Sequence, residues 1–431
     1  MASAPPPSQF DVRHVRARFP ALAITDNGAA RVYLDNPGGT QMPQSALERM
    51  QHYLLHQNAN RGGAFRTSVE TERLLRESRR AMADFLNAPT EREIVFGANM
   101  TSLTFALSHA LKHWLQPEDE IIVTRLDHDG NIAPWLRLAE DSGTRIRWLD
   151  FHPPDCVLNM DELEGLLTEK TRLLAIGYAS NAVGTISPVQ RMAALAHAAG
   201  AMVFVDAVQY APHAPVDVQA LGADFLVCSP YKFFGPHQGV LWGRYDLLDR
   251  LPAYKARPAG ERPPDKFETG TQSHEGQAGT LGALEHLAWV GNQFGTEFHA
   301  QFPGFTEMKL ELHSGMAAIK AYEQTLSAHL INGLRKIRGV RIWGITDPQR
   351  LHERVPTISF TLEGHTPRAI AQRLAEDNIF VWDGHYYAVE TVQRLGLAQS
   401  GGMLRVGAAH YNTAQELDRL LEVLDGLQRG E

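Results

Sequence analysis

From Glu93 onward, short apolar runs alternate with stretches whose apolar residues recur every three or four positions. The runs are Glu93–Phe96, Glu120–Thr124, Arg145–Leu149, Arg172–Tyr178, Met202–Asp206, Asp224–Cys228 and Gly239–Trp242. Nearly unbroken apolar runs of this length suit strands covered on both faces. Helical patterns separate several of them, at Thr101–Trp114, Asn159–Leu167 and Val189–Ala199. The alternation predicts an α/β fold with a mostly parallel central sheet flanked by helices. Ahead of it, Leu74, Ser78, Met82 and Phe85 fall at helical spacing and predict a helix over Thr67–Ala88, with Thr67 and Glu70 as a capping box.

The alternation stops at Pro252–Lys266, where four prolines and many charges predict a long loop. A helical region follows over Gly279–Tyr322, with a break expected at Pro303-Gly304. Mixed elements then return at Val340–Trp343, Thr357–Thr361, Pro367–Glu376, Ile379–Trp382, Met403–Gly407 and Ala414–Leu427. They predict a smaller C-terminal α+β domain. The expected division is a tail and lead-in segment over 1–30, a large domain over 31–290 and the smaller domain over 291–431. The N-terminal segment is expected to pack with the smaller domain. Residues 1–9, with three consecutive prolines, read as a disordered tail.

Composition narrows the partners. The chain has 431 residues, 44% apolar and 21% charged, enough for a large and a small domain. A net charge of −8 gives no reason to expect nucleic acid or an anionic membrane. No secretory signal opens the chain and no apolar stretch is long enough to span a bilayer, so a cytoplasmic location is expected. Only Cys156 and Cys228 are present, too few for a disulfide framework. Cys228 lies in an apolar run and reads as a small buried hydrophobe.

The fingerprints of dinucleotide, nucleoside-triphosphate, serine-hydrolase and zinc-protease sites are missing. Polar residues instead follow the predicted strands: Thr101, His128, Asn181, Asp206, then Ser229 and Lys232. Ligands of open α/β sheets bind at those carboxyl ends. Singly, each residue reads as a cap, a turn or a surface lysine. Asp206 and Lys232, however, lie one βαβ-sized interval apart, so both can reach one ligand. A metal site at Asp127-His128-Asp129 is a weaker reading, and no metal is expected.

Seven blocks, in order, resemble the class V aminotransferases of fold type I, in their cysteine desulfurase-like branch. They are Tyr33-Leu34-Asp35-Asn36, the run Asp127 to Trp135, the run Ser180 to Thr185, the run Val205 to Gln209, Ser229-Pro230-Tyr231-Lys232, the run Phe267 to Thr271, and Arg405 with the run His410 to Thr413. The resemblance spans Tyr33 to Leu427. It implies pyridoxal-5′-phosphate (PLP) as cofactor, held as a Schiff base on Lys232, which also moves the Cα proton. It implies Asp206 at the pyridine nitrogen, His128 on the ring face, and Gln209 and Asn181 near the ring hydroxyl. Met100, Thr101, Ser229 and Tyr231 would serve the phosphate at a helix N-terminus. Thr271 would reach the partner subunit's cofactor in a homodimer, and Arg405 would clamp the carboxylate of a small amino-acid substrate. Asn36, Gly38, Gly39, Arg61, His237, His385 and Tyr387 are further candidates for the substrate pocket.

One loop departs from the family pattern. Tyr387 stands where desulfurases of this branch carry a nucleophilic cysteine, and Trp382 stands where relatives have arginine. A phenol of pKa about 10 does not accept sulfur as a thiolate does. The sequence is also similar to a fungal PLP enzyme that decarboxylates aspartate and adds the product to an aldehyde. The expected activity is therefore lyase-type: β-decarboxylation of aspartate, with or without aldol addition, or C–S β-elimination. Transamination and epimerisation use the same constellation and stay open, as does a member that binds PLP without catalysis.

Overall fold

The computed structural model describes residues 10–430; the tail expected over 1–9 lies outside the described residues. Its larger sheet has seven strands in the order Ile94–Gly97, Gly239–Gly243, Phe225–Cys228, Met202–Asp206, Thr171–Gly177, Glu120–Thr124, Arg145–Leu149. Gly239–Gly243 pairs antiparallel with both of its neighbours, and the other pairings are parallel. Six strands therefore run the same way. The central strands are buried along nearly their whole length, which explains their lack of polar alternation.

Helices Met100–Leu111 and Ala133–Ser142 cover one face through a cluster that includes Leu107, Trp135, Phe204 and Phe225. Helices Val189–Ala198 and His274–Phe294 contribute to the main cluster, with Met192, Val205, Leu226 and Leu284. His274–Phe294 is followed by a short 3-10 turn and then by Glu307–Leu334, so the expected break at Pro303-Gly304 falls between two long helices. These helices approach closely: a Cβ on Gly291 would lie 1.8 Å from the carbonyl oxygen of Glu311. Only glycine fits there.

The second sheet is fully antiparallel, in the order Val340–Trp343, Thr357–Leu362, Met403–Gly407, Trp382–Gly384. Ile358, Phe360, Leu404 and Val406 form its core with Leu417, Leu420 and Leu424 of helix Ala414–Arg429. Residues 32–35, which the expected division puts in the large domain, pair with this part of the chain. Strand Val32–Tyr33 pairs in parallel with Ile379–Phe380, and Asp35 bridges to Gly407. The boundary expected at 290/291 falls inside helix His274–Phe294.

Two local expectations need correction. The helix expected from a Thr67 cap starts at Arg66, with Phe65 as its N-cap and no side-chain cap bond. Thr67 is thus already inside the helix, and Glu70 pairs with Arg66 one turn back, at 3.3 Å. The strand expected over Ile379–Trp382 is two short strands that serve different sheets, with Val381 between them. No helix among the described residues is long and apolar enough to cross a membrane.

Candidate active site

Residues that follow the parallel strands meet at one rim of the large sheet, around a cavity of about 580 Å³. Lys232 closes a tight turn after strand Phe225–Cys228 and is 8% exposed. Its Nζ donates to the carbonyl of Pro37 and lies 4.6 Å from the Tyr231 ring centroid. Burial, then the nearby Arg405 charge, pushes its amine down to about 7, with Asp35 and Asp206 pulling the other way. Near neutral pH a substantial fraction of the amine is therefore an uncharged nucleophile.

Asp206 ends strand Met202–Asp206, and its Oδ1 accepts from the Val208 amide at 2.9 Å. Burial pushes its carboxyl up to about 6. Asp127 lies close enough to interact and is more strongly affected: burial first, then Asp206, pushes it up to about 8. Two neighbouring buried carboxylates do not both ionise readily. The Gly177 amide at 2.8 Å and Asn131 at 3.0 Å donate to Asp127 and oppose that rise without cancelling it, so Asp127 stays the higher of the two and Asp206 is the charged member at neutral pH.

His128 follows strand Glu120–Thr124. Its Nδ1 accepts from the Gly130 amide at 2.9 Å, so the ring hydrogen sits on Nε2. Burial pushes this imidazole down to about 4, so it is neutral at pH 7. Gly130 is needed for that turn: a Cβ there would lie 2.9 Å from Thr101 Oγ1 and 3.0 Å from His128 Nδ1.

Arg405 comes from the other sheet, on strand Met403–Gly407. Its Nη1 donates to Asn181 O at 3.1 Å and its Nη2 to Asp35 Oδ1 at 3.0 Å. The guanidinium carbon sits 4.4 Å from the ring centroid of Tyr386. Its Nε is buried with no partner, as are Asn181 Oδ1 and Ser229 Oγ. All three residues line the same cavity. Buried polar atoms are rarely left unpaired, so this wall fits a polar ligand. Beside it opens the helix Met100–Leu111, with Asn99 as its cap. Its free amides suit an anion such as a phosphate.

Most residues singled out in the sequence do line the cavity: Met100, Thr101, His128, Asn181, Asp206, Gln209, Ser229, Tyr231, Lys232, Arg405, Gly38 and Tyr387. Six do not. Asn36 is buried; its Nδ2 donates to Gly407 O at 2.7 Å and its Oδ1 accepts from the Tyr411 hydroxyl, so it ties the stretch after strand Val32–Tyr33 to the antiparallel sheet. Gly39 sits against the Tyr231 ring, and His237 stacks on that ring at 4.8 Å. Arg61 pairs with Asp265 at 2.6 Å on a separate groove. The ring of His385 accepts from the Tyr387 amide at 3.1 Å. Thr271 is exposed, ahead of helix His274–Phe294. The wall also contains Asp35, Trp382 and Tyr386, and Asp127 and Asp129, which the sequence suggested only for the weaker metal reading. Asp35, Asp127 and Asp129 did stand in matched blocks, which was the available signal.

Neither cysteine lines the cavity. Cys156 and Cys228 are both 0% exposed, and burial pushes both thiols up, Cys156 to about 12. Tyr387 is at the cavity mouth, 66% exposed, stacked on His128 with centroids 5.4 Å apart.

A mostly parallel sheet with a buried, low-pKa lysine and a buried carboxylate at its rim defines a fold type I PLP enzyme. The aminotransferase class-V family model matches residues 32–420, and the chain belongs to that PLP-dependent family. It is 32% identical over 436 residues to a probable cysteine desulfurase of Mycolicibacterium paratuberculosis, covering 98% of this chain but only 59% of that protein. It is 33% identical to an aminotransferase-like protein of Gibberella zeae, covering 97% of this chain and 98% of that one. Among solved structures, the apo cysteine desulfurase of Thermococcus onnurineus NA1 matches over the whole of both chains, with a TM-score of 0.84 and 27% identity.

Proposed function

We propose that the enzyme is a lyase acting on a small L-amino acid, breaking a bond to or beyond Cβ, with no sulfur captured on a protein thiol. The observation that carries this reading is the cavity wall: Lys232, Asp206, His128 and Arg405 all face it, and neither cysteine does. A thiol at full burial and raised pKa is a poor nucleophile.

When bound, PLP supplies an electron sink for negative charge that develops at Cα. The residues of this chain do the rest. Lys232 holds the cofactor and, once free, takes the Cα proton on its Nζ; an amine poised near pH 7 suits both tasks. Asp206, ionised at neutral pH, holds a proton on the pyridine nitrogen. His128, a neutral ring, covers the cofactor's face. The amides opening helix Met100–Leu111, with Thr101 and Ser229, hold the phosphate, and Gln209 and Asn181 serve the ring hydroxyl. Arg405, whose buried Nε has no partner, would take the substrate carboxylate. We also place Thr271 at the partner subunit's cofactor in a homodimer, and the enzyme in the cytoplasm.

A second reading, a persulfide-forming cysteine desulfurase, is supported by the names of the bacterial relatives. The products from L-cysteine separate the two. Elimination gives pyruvate, ammonia and sulfide; desulfuration gives alanine and a persulfide on the protein.

A further inference from the structure

The cavity mouth carries two large aromatic side chains, Trp382 and Tyr387. Trp382 is 55% exposed and Tyr387 is 66% exposed, and both line the cavity. Large aromatic side chains left open to solvent at the mouth of a binding cavity indicate a contact made with a ligand. Their placement is specific. Trp382 pairs in register with Arg405 across antiparallel strands, which puts the indole and the guanidinium on one face of that sheet. Tyr386 and Tyr387 hold left-handed backbone, with φ of +51° and +60°. Two consecutive aromatic residues adopt that conformation only when their surroundings enforce it. Here the enforcing bonds are visible: the Tyr386 hydroxyl donates to Met403 O, and Tyr387 O accepts from the Asp129 amide at 2.7 Å.

The charges on the wall point the same way. Among the described residues, Lys232 and Arg405 are the only lysine or arginine lining the cavity, against the carboxyls of Asp35, Asp127, Asp129 and Asp206. Lys232 is committed to the cofactor. Arg405 already serves Asp35 and Asn181 and keeps one unpartnered donor, the buried Nε. One substrate carboxylate can be received. A second would find no further lysine or arginine among the described residues that line the cavity.

Resting on the reading above, in which Arg405 holds the substrate carboxylate, we propose that the substrate's side chain is a flat, apolar or aromatic group. It packs between Trp382 and Tyr387, and a dicarboxylic amino acid is discriminated against. Of the two lyase reactions, this selects elimination of a bulky β-substituent over β-decarboxylation of aspartate.

The test measures binding without turnover. Holoenzyme is titrated with L-phenylalanine, L-alanine and L-aspartate, and binding is read from the cofactor's absorbance. L-phenylalanine should bind at least about tenfold more tightly than either of the others, the size of one good aromatic contact. Trp382→Ala should cut that advantage to about threefold or less, and Trp382→Arg should tighten L-aspartate. The proposal is overturned if L-aspartate binds the unaltered enzyme more tightly than L-phenylalanine, or if Trp382→Ala leaves the preference intact. If no amino acid, L-alanine included, perturbs the absorbance, the amino-acid reading itself fails and takes this proposal with it.

Discussion

Asp35 and Arg405 form an ion pair at 3.0 Å inside the cavity, with Arg405 almost fully buried and Asp35 largely so. The pair joins the stretch after strand Val32–Tyr33 to the antiparallel sheet, and both charges act on Lys232 with opposite sign. Arg405 lowers the lysine's pKa and Asp35 raises it. Burial also raises the carboxyl of Asp35 itself, against the pull of Arg405.

That opposition gives a pH prediction. Lys232 captures PLP only when its amine is uncharged, so the rate of capture by apoenzyme should rise with pH, half-maximal near 7. Arg405→Gln removes a repelling cation, so protonated lysine is favoured and the midpoint should move up by about one unit. Asp35→Asn removes an attracting anion, and the midpoint should move down. Stopped-flow absorbance over pH 5.5 to 9 checks the signs. Shifts in the same direction for both variants would contradict this electrostatic account.

Lys232 should carry the cofactor. Borohydride treatment of the yellow holoenzyme should fix PLP to the peptide that contains Lys232, as read by mass spectrometry. Lys232→Ala should lose this link while still retaining PLP noncovalently, through the phosphate site. A modified peptide from elsewhere in the chain would show the assignment to be wrong.

Asp206→Asn should keep PLP but lose turnover by about 100-fold or more, because a neutral amide does not hold the pyridinium proton. Cofactor content and rate are measured on the same preparation. Near-normal turnover would place the electron-sink partner at another residue.

Stability offers a separate check. Arg79 and Glu268 form an ion pair with side chains 9% and 3% exposed, and Glu268 also accepts from the Phe96 amide at 3.0 Å. Arg79→Met strands a buried carboxylate and should cost about 3–5 kcal/mol in urea unfolding. Adding Glu268→Gln should recover part of that loss. A single variant as stable as the parent would mean that the carboxylate finds other compensation.

Much of the fold was legible because burial on both faces leaves an unmistakable record in strands such as Glu120–Thr124 and Met202–Asp206. Residues at strand ends were legible for the same reason: once the strands were placed, His128, Asp206 and Lys232 had to share a rim. Long-range contacts were not. Asn36 looked like a pocket residue but bonds to Gly407 and Tyr411, more than 370 positions away. Asp35 gained its importance only when the second sheet brought Arg405 beside it. The Thr67 capping box failed because a local motif does not fix where a helix begins: Phe65, two residues earlier, takes the extended cap conformation and Arg66 already starts the helix.

The central claim is that this PLP enzyme works without a sulfur-accepting thiol, and the products from L-cysteine test it most directly. The account predicts that any sulfide released comes with equal amounts of pyruvate and ammonia, and that intact-mass spectrometry finds no added sulfur on the protein. Stoichiometric alanine, with a persulfide that disappears in Cys156→Ser or Cys228→Ser, would contradict it.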